Sequence, residues 1–169
     1  MVIERTSTAD FDEVKAVLRE CGLPEGNLCA ADMGRFLVAR SGRCVVGVAG
    51  MIIQGSCAVG HSLAVVPGFR GMGLGRLLAN GLLDWSSTLG LGSIYLFTCQ
   101  AEFYFRAMGF SVVEQGEVPE TILMALSDLC DPGVFGAGHI LHFRLETIFD
   151  RLAAGAENYG SYGIVEALQ

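Results

Sequence analysis

Leu63-Ala64-Val65-Val66-Pro67-Gly68-Phe69-Arg70-Gly71-Met72-Gly73-Leu74-Gly75 is the stretch whose reading decides the fold. Its first half is an extended apolar run stopped by Pro67-Gly68. Its second half opens a leucine pattern, Leu74, Leu77, Leu78 and Leu82, with the steps of an amphipathic helix. Between the two, glycines at alternate positions leave backbone N–H groups uncovered just where the helix begins. Those donors and the positive end of the helix dipole converge on one spot, which suits phosphate. Arg70 and Arg76 bracket that spot with permanent charge. The plain alternative is a helix-start turn that needs only positive φ angles.

Spacing restricts the phosphate ligand. A dinucleotide fingerprint needs G-x-G-x-x-G and an acid about 20 residues further on. Here the register is Gly71-x-Gly73-x-Gly75, position 76 is arginine, and no acid lies near Tyr95. The Gly-Lys-Ser/Thr ending of a nucleotide P-loop is absent too. What remains is Arg-x-x-Gly-x-Gly between a strand and a helix.

Working outward, residues 2–6 read as a strand and Phe11, Val14, Leu18 and Cys21 as one face of a helix ending near Glu20, capped by Thr8 or Asp10. Residues 27–34 are compatible with a short helical turn. Strands are expected at 36–39, 44–54 (apolar throughout, hence buried on both faces) and 57–66. The helix after the glycines presents Leu74, Leu77, Leu78, Leu82, Trp85 and Leu89 inward. Strands at 94–97, 110–113 and 139–145 and helices at 102–108, 119–129 and 146–156 complete the pattern. An early meander followed by one strand–helix–strand crossover makes an α/β or α+β fold with a mixed, mainly antiparallel sheet flanked by helices. The glycine loop falls at the carboxyl end of the strand that starts the crossover, where ligands of such sheets bind.

Composition bounds the partners. The 169 residues are 51% hydrophobic, enough for one compact domain with a substantial core. No apolar run reaches the length of a membrane span, and Met1-Val2-Ile3-Glu4-Arg5 lacks the layout of a signal peptide. Six cysteines occur without a C-x-x-C pair, and Cys44, Cys57 and Cys99 sit in apolar runs where a reduced thiol acts as a small hydrophobe. Reduced thiols point to the cytoplasm, and no metal is expected. Net charge is −7 with only 11 Lys and Arg, which argues against nucleic acid. An anionic cofactor then needs its own basic patch, which Arg70 and Arg76 supply.

Two blocks together resemble the GNAT family of N-acetyltransferases. Leu63 to Gly75 looks like that family's acetyl-CoA signature, Arg/Gln-x-x-Gly-x-Gly/Ala after a strand ending near a proline. Thr98-Cys99-Gln100-Ala101-Glu102-Phe103-Tyr104-Phe105-Arg106-Ala107-Met108-Gly109-Phe110 looks like its later motif, Asn-x-x-Ala leading through an aromatic pair to Gly-Phe. The resemblance covers residues 3–126, and residues 1–145 would then form the acetyltransferase domain. Residues 146–169 would be a C-terminal helix and tail, packed on that domain or on a partner subunit. A narrower likeness is to GNAT proteins encoded in arsenic-resistance operons, carried by Gly22-Leu23-Pro24, Phe36 to Arg40, His61 to Val65, Glu117-Val118-Pro119 and Leu129-Cys130.

The resemblance implies acetyl-CoA as co-substrate. The backbone of Leu63, Ala64 and Val65 would hold the pantetheine arm. Arg70 and the amides of Gly71, Met72, Gly73, Leu74, Gly75 and Arg76 would hold the pyrophosphate. The amide of Leu63 is one donor for polarising the thioester carbonyl. A small-molecule or amino-acid amine would attack directly, with no covalent enzyme intermediate. The family often draws its general base from a strand glutamate, and His61 fills that slot; the alternative is a polar strand residue facing the cleft. The tyrosine that relatives use to protonate the thiolate is replaced by Phe105, which leaves Tyr104, beside it and about 100° away on a helix, as the candidate proton donor. Thr98 stands where the motif has asparagine and can still hydrogen-bond the pantetheine arm.

His139 and His142, three apart on a strand, point to opposite faces and make a poor metal pair. Glu114, Glu117 and Glu120 read as solvated charges. Tyr159 and Tyr162 in the glycine-rich tail are available to cover a second subunit, which makes a homodimer the protein partner to consider. Three functions follow: an N-acetyltransferase, a CoA-binding sensor without efficient catalysis, or a dimeric interaction protein with a degenerate site.

Overall fold

The computed structural model describes residues 1–25, 28–130, 135 and 137–145. The expected C-terminal helix and tail, including Tyr159 and Tyr162, lie outside the described residues. The strands are β1 (Val2–Arg5), β2 (Phe36–Ser41), β3 (Cys44–Gln54), β4 (Cys57–Val65), β5 (Ser93–Thr98), β6 (Ser111–Val113) and β7 (His139–Arg144). The helices are α1 (Phe11–Glu20), α2 (Leu74–Thr88), α3 (Glu102–Arg106) and α4 (Glu120–Leu129), and a 3-10 turn spans Ala30–Arg35, overlapping the stretch whose sequence is compatible with a short helical turn. Seven strands make one sheet in the order β1-β2-β3-β4-β5-β7-β6. β4 and β5 pair in parallel through Cys57↔Ser93, Ala58↔Ile94 and Val59↔Tyr95. The pairs β1–β2, β2–β3, β5–β7 and β6–β7 are antiparallel. Parallel neighbours need a crossover, and α2 provides it. The mixed, mainly antiparallel sheet expected from the sequence is what forms. No helix among the described residues is long and apolar enough to cross a membrane.

The described residues divide into two compact units, Met1–Met51 with Ser62–Asp84, and Ile52–His61 with the described part of Trp85–Ala156. The first buries Val14, Val17 and Leu18 of α1, Phe36 to Ala39 of β2, Val45, Val46, Val48 and Ala49 of β3, and Leu74, Leu78 and Leu82 of α2. Burial of each larger side chain stabilises the fold by roughly 1.5–3 kcal/mol. Around Arg40, the register of β2 on β3 slips: Ala39 faces Gly47 but Arg40 faces Val45. Such an irregularity re-aims a side chain. Arg40 donates through Nε to Glu4 and through Nη2 to Asp10, and its Nη1 lies 3.8 Å from Glu13. Glu13 also accepts the Val45 N–H at 3.0 Å, tying α1 to the start of β3.

Asp10 does not cap α1 with its side chain. Its carboxylate accepts the Ser7 N–H at 2.7 Å, closing the turn before α1, and takes Arg40 as well. Burial alone would push this carboxyl up. The Ser7 amide and the Arg40 guanidinium outweigh burial and hold it below the ordinary aspartate value.

In the second unit Val59, Tyr95, Val118, Ile122, Ala125, Leu126 and Ile140 form the core, with α4 supplying three of them. Phe110 packs on Phe105 and Phe143 at ring distances of 5.5 and 5.2 Å. Gly138, just ahead of β7, must be glycine. A Cβ there would lie 2.4 Å from Phe97 Cζ and 2.7 Å from the Thr98 carbonyl oxygen, and the latter is backbone that cannot step aside.

Several sequence expectations need correction. Val17 rather than Phe11 completes the buried face of α1; Phe11 is half-buried under Lys15. Leu77 and Leu89 are exposed. Leu77 sits roughly 60° outside Leu74 on the helix wheel, and Leu89 follows the last residue of α2. Cys44 and Cys99 are exposed, because each lies at or beyond a strand end; Cys57 is half-buried. Glu114, Glu117 and Glu120 are exposed, as expected.

Candidate active site

The loop between β4 and α2 is built by short-range bonds. Pro67–Phe69 forms a 3-10 turn with proline at its start, closed by Phe69 N–H to the Val66 carbonyl at 3.0 Å and Arg70 N–H to the Pro67 carbonyl at 3.2 Å. Gly71 (φ +76°) and Gly73 (φ +81°) then turn the chain through left-handed conformations. Leu77 N–H donates to the Gly73 carbonyl at 3.1 Å, so the N–H groups of Leu74, Gly75 and Arg76 precede the first intrahelical donor. Nothing lies within 4 Å of where a side chain would project at Gly68, Gly71 or Gly73. A concave run of amides at the positive end of a fifteen-residue helix fits a pyrophosphate.

Arg70 works differently from the simple flanking charge read from sequence. Its Nε donates to the Val65 carbonyl at 2.8 Å, and its Nη2 lies 3.8 Å from Cys21 Sγ. Cys21 in turn donates its thiol to the same Val65 carbonyl at 3.4 Å. Arg70 therefore straps the loop back onto the end of β4. Arg76 is exposed in the first turn of α2.

β4 carries His61, Ser62, Leu63, Ala64 and Val65 in order. Ser62 has φ +57° and is the only non-glycine with a positive φ among the described residues. A left-handed residue in mid-strand is strained by about 1–3 kcal/mol and breaks the simple alternation of faces. It separates His61, which is half-buried, from Leu63, Ala64 and Val65. The histidine and the strand amides expected to act on the thioester thus flank the strained position.

In the second unit, the later motif folds as a strand end, a turn and α3. Thr98 Oγ1 accepts from Ala101 N–H at 3.0 Å and from Gln100 N–H at 3.3 Å. The oxygen expected on the pantetheine arm is thus engaged in fixing the turn, and the hydroxyl proton is the group left to donate onward. Phe105, in the tyrosine slot, is buried against Phe110. Tyr104 is exposed, with its ring edge-on to Phe105 at 5.2 Å.

One pairing in this unit escaped the sequence reading. Glu102 Oε2 lies 3.2 Å from His139 Nε2, and Glu102 Oε1 lies 3.1 Å from Arg106. The i,i+4 spacing of Glu102 and Arg106 was a visible signal; the histidine was not. His142 points away from its neighbour three residues back, as expected, and stacks on Tyr95 at 4.6 Å. Burial, then the charge of Arg144, lowers its basicity. Among the described residues no group of three or more His, Cys, Asp or Glu could hold a metal ion.

Comparison with known proteins places this geometry. The chain is similar to N-acetylglutamate synthase from Neisseria gonorrhoeae complexed with coenzyme A and N-acetyl-glutamate, at TM-score 0.72 and 21% identity over 85% of this chain. It spans only 35% of that enzyme. It is also similar to Rv2747 from Mycobacterium tuberculosis in complex with CoA, at TM-score 0.71 and 23% identity over 86% of this chain and 100% of that one. A third likeness is to the ribosomal-protein-S18-alanine N-acetyltransferase from Escherichia coli, at TM-score 0.63 and 14% identity over 95% of this chain and 99% of that one. At such identities the likeness is one of fold. No curated protein matches the sequence. The model of the acetyltransferase (GNAT) family matches residues 6–110, which take in the left-handed glycine loop and the Gly-Phe motif alike, and the chain belongs to that family.

Proposed function

We propose that the protein transfers the acetyl group of acetyl-CoA to a primary amine of a small molecule or amino acid, by direct attack in a ternary complex. The observation that carries this reading is the loop from Val66 to Arg76, with two left-handed glycines ahead of the first-turn amides of α2 in a chain of the acetyltransferase family. Acetyl-CoA, when bound, supplies an activated acyl group as a thioester. The amides of Gly71, Met72, Gly73, Leu74, Gly75 and Arg76 bind the pyrophosphate, with Arg70 holding the loop in shape. The backbone of Leu63, Ala64 and Val65 orients the pantetheine arm, and the Leu63 amide polarises the thioester carbonyl. His61 takes the proton from the attacking ammonium. Complexes with CoA among the structural neighbours support the choice of cofactor. The likeness to acetyltransferases of arsenic-resistance operons supplies a genomic context and leaves the acceptor open.

Saturating acetyl-CoA, at about 100 times Kd, should raise the melting temperature by about 5–10 °C, with a similar shift from free CoA and none from NAD. Absence of a shift with both CoA species would refute the cofactor assignment. Thiol release across an amine panel then separates an enzyme from a CoA-binding sensor. That second reading is favoured by one observation, the burial of Phe105 in the tyrosine slot. His61→Ala should lower kcat about 100-fold near neutral pH with CoA affinity intact. Turnover at the wild-type level would reject His61 as the base.

A further inference from the structure

We propose that Cys21 is a positioning residue for the cofactor loop: its thiol fixes the Arg70 guanidinium on the Val65 carbonyl, an inference that rests on the reading of this loop as the CoA site. Three groups make a closed ring. Arg70 Nε donates to the Val65 carbonyl at 2.8 Å, the Cys21 thiol donates to the same oxygen at 3.4 Å, and Arg70 Nη2 donates to Cys21 Sγ at 3.8 Å. The carbonyl accepts twice, which uses both of its lone pairs. The sulfur donates once and accepts once. Each member of the ring thus holds the other two in place. All three residues, and the loop they support, belong to the first compact unit.

The sulfur is anchored from the side of α1. Cys21 ends this helix, and its own N–H donates to the Val17 carbonyl at 3.0 Å. The next two residues close the terminus. Gly22 N–H reaches the Arg19 carbonyl at 3.1 Å, and Leu23 N–H reaches the Leu18 carbonyl at 2.9 Å. Val14, Val17 and Leu18 seat the helix in the core. The thiol therefore starts from a fixed point, whereas Arg70 is exposed and its long side chain has much rotamer freedom to lose. A bond from Nε alone leaves the guanidinium free to pivot. The second bond, from Nη2 to sulfur, removes that freedom.

The loop depends on this ring because little else shapes it. Pro67, Gly68, Arg70, Gly71, Met72 and Gly73 are exposed. No residue beyond the chain neighbours stands within 4 Å of the side-chain positions at Gly68, Gly71 and Gly73. Pro67–Phe69 turns the chain, and Arg70 reaches back across that turn to the strand it left. Gly71 follows Arg70 directly, so the ring sets where the left-handed segment begins. A loop already in its ligand-bearing shape loses less entropy on binding, and the difference appears as affinity. Cys21 acts on the cofactor only through Arg70.

The test is calorimetric titration of the full chain with CoA, beside the melting temperature of each unliganded variant. Cys21→Ala should raise Kd about fivefold and lower the melting temperature by less than about 3 °C. Cys21→Val keeps an apolar side chain of similar size but can neither donate nor accept, and it should lose as much. Cys21→Ser keeps both functions and should return Kd to within about twofold of wild type. Arg70→Ala should raise Kd about tenfold or more, and adding Cys21→Ala to it should change nothing further. In thiol-release assays the loss in Cys21→Ala should fall on KM for acetyl-CoA and not on kcat. Three results would overturn the role: a Kd for Cys21→Ala equal to that of wild type, a valine variant that binds as wild type does, or losses that multiply in the double variant. The serine and valine variants decide alone if the alanine variant melts below the assay temperature, and equal Kd values for those two count against the role. A wild-type protein that does not bind CoA removes the cofactor reading and this role with it. A wild type that binds CoA beside an equally tight Cys21→Ala removes the Cys21 role alone.

Discussion

Gly73→Asp should weaken CoA binding about a thousandfold while leaving the protein folded. Gly73 sits at φ +81° with open space where a side chain would project. Aspartate tolerates a left-handed backbone better than most residues, so the cost to the fold is about 1 kcal/mol. The cost to binding is larger. A carboxylate placed about 4 Å from a phosphate charge, at an effective dielectric near 20, is repelled by about 4 kcal/mol. That corresponds to roughly three decades in Kd. Gly73→Asn carries the same bulk without the charge and should lose about tenfold to thirtyfold. Calorimetric titration with CoA reads both, and the melting temperature of the unliganded variants checks the fold. An aspartate variant that binds CoA within tenfold of wild type would show that phosphate does not sit on this loop.

Arg40→Ala should destabilise the protein by about 3 kcal/mol at pH 7, lowering the melting temperature by about 10 °C. The guanidinium is mostly buried and joins Glu4, Asp10 and Glu13. Removing it leaves the Asp10 carboxylate buried without its cation, and the cost comes chiefly from that orphaned charge. Replacing both Arg40 and Asp10 by leucine should cost less than the sum of the two single changes. The pH dependence has a definite sign. In the wild type the Asp10 carboxyl is held below its ordinary value of 3.8. Its contribution to stability is therefore complete above about pH 4 and is lost as pH falls through the lower, folded value. In Arg40→Ala the carboxylate has lost the partner that kept it ionised. The gap between variant and wild type should narrow from pH 7 to pH 3, as followed by urea unfolding. A gap that stays constant across that range would mean that packing of the arginine stem, rather than charge, carries the effect.

How far the chain can be read without coordinates depends on where the information lies. The loop from Pro67 to Arg76 was legible because its signals are local: the register of the glycines, the proline that stops β4 and the leucine period of α2. The parallel β4–β5 pair followed from the same segment, because a helix between two apolar runs has few alternatives. The position of β7 between β5 and β6 was not legible. No local pattern records which strand a distant segment will join. Leu77 was misplaced because a helical period defines a stripe but not its edge. The sequence offers Thr8 or Asp10 as a cap for α1, and the Asp10 carboxylate instead serves the preceding turn and Arg40, a residue thirty positions away.

The same division runs through the candidate site. Sequence by itself determined the family-type strand–loop–helix, whose amides we propose for pyrophosphate, because amide direction and helix dipole are set within a dozen consecutive residues. The family resemblance also puts Phe105 where relatives carry tyrosine. Only the tertiary structure decided that Arg70 is a strap to Val65, that Ser62 is strained beside His61, and that Glu102 reaches His139. Those facts depend on side chains from separate elements meeting at about 3 Å, and such meetings are set by sheet order, strand register and core packing, not by any residue's neighbours in the chain.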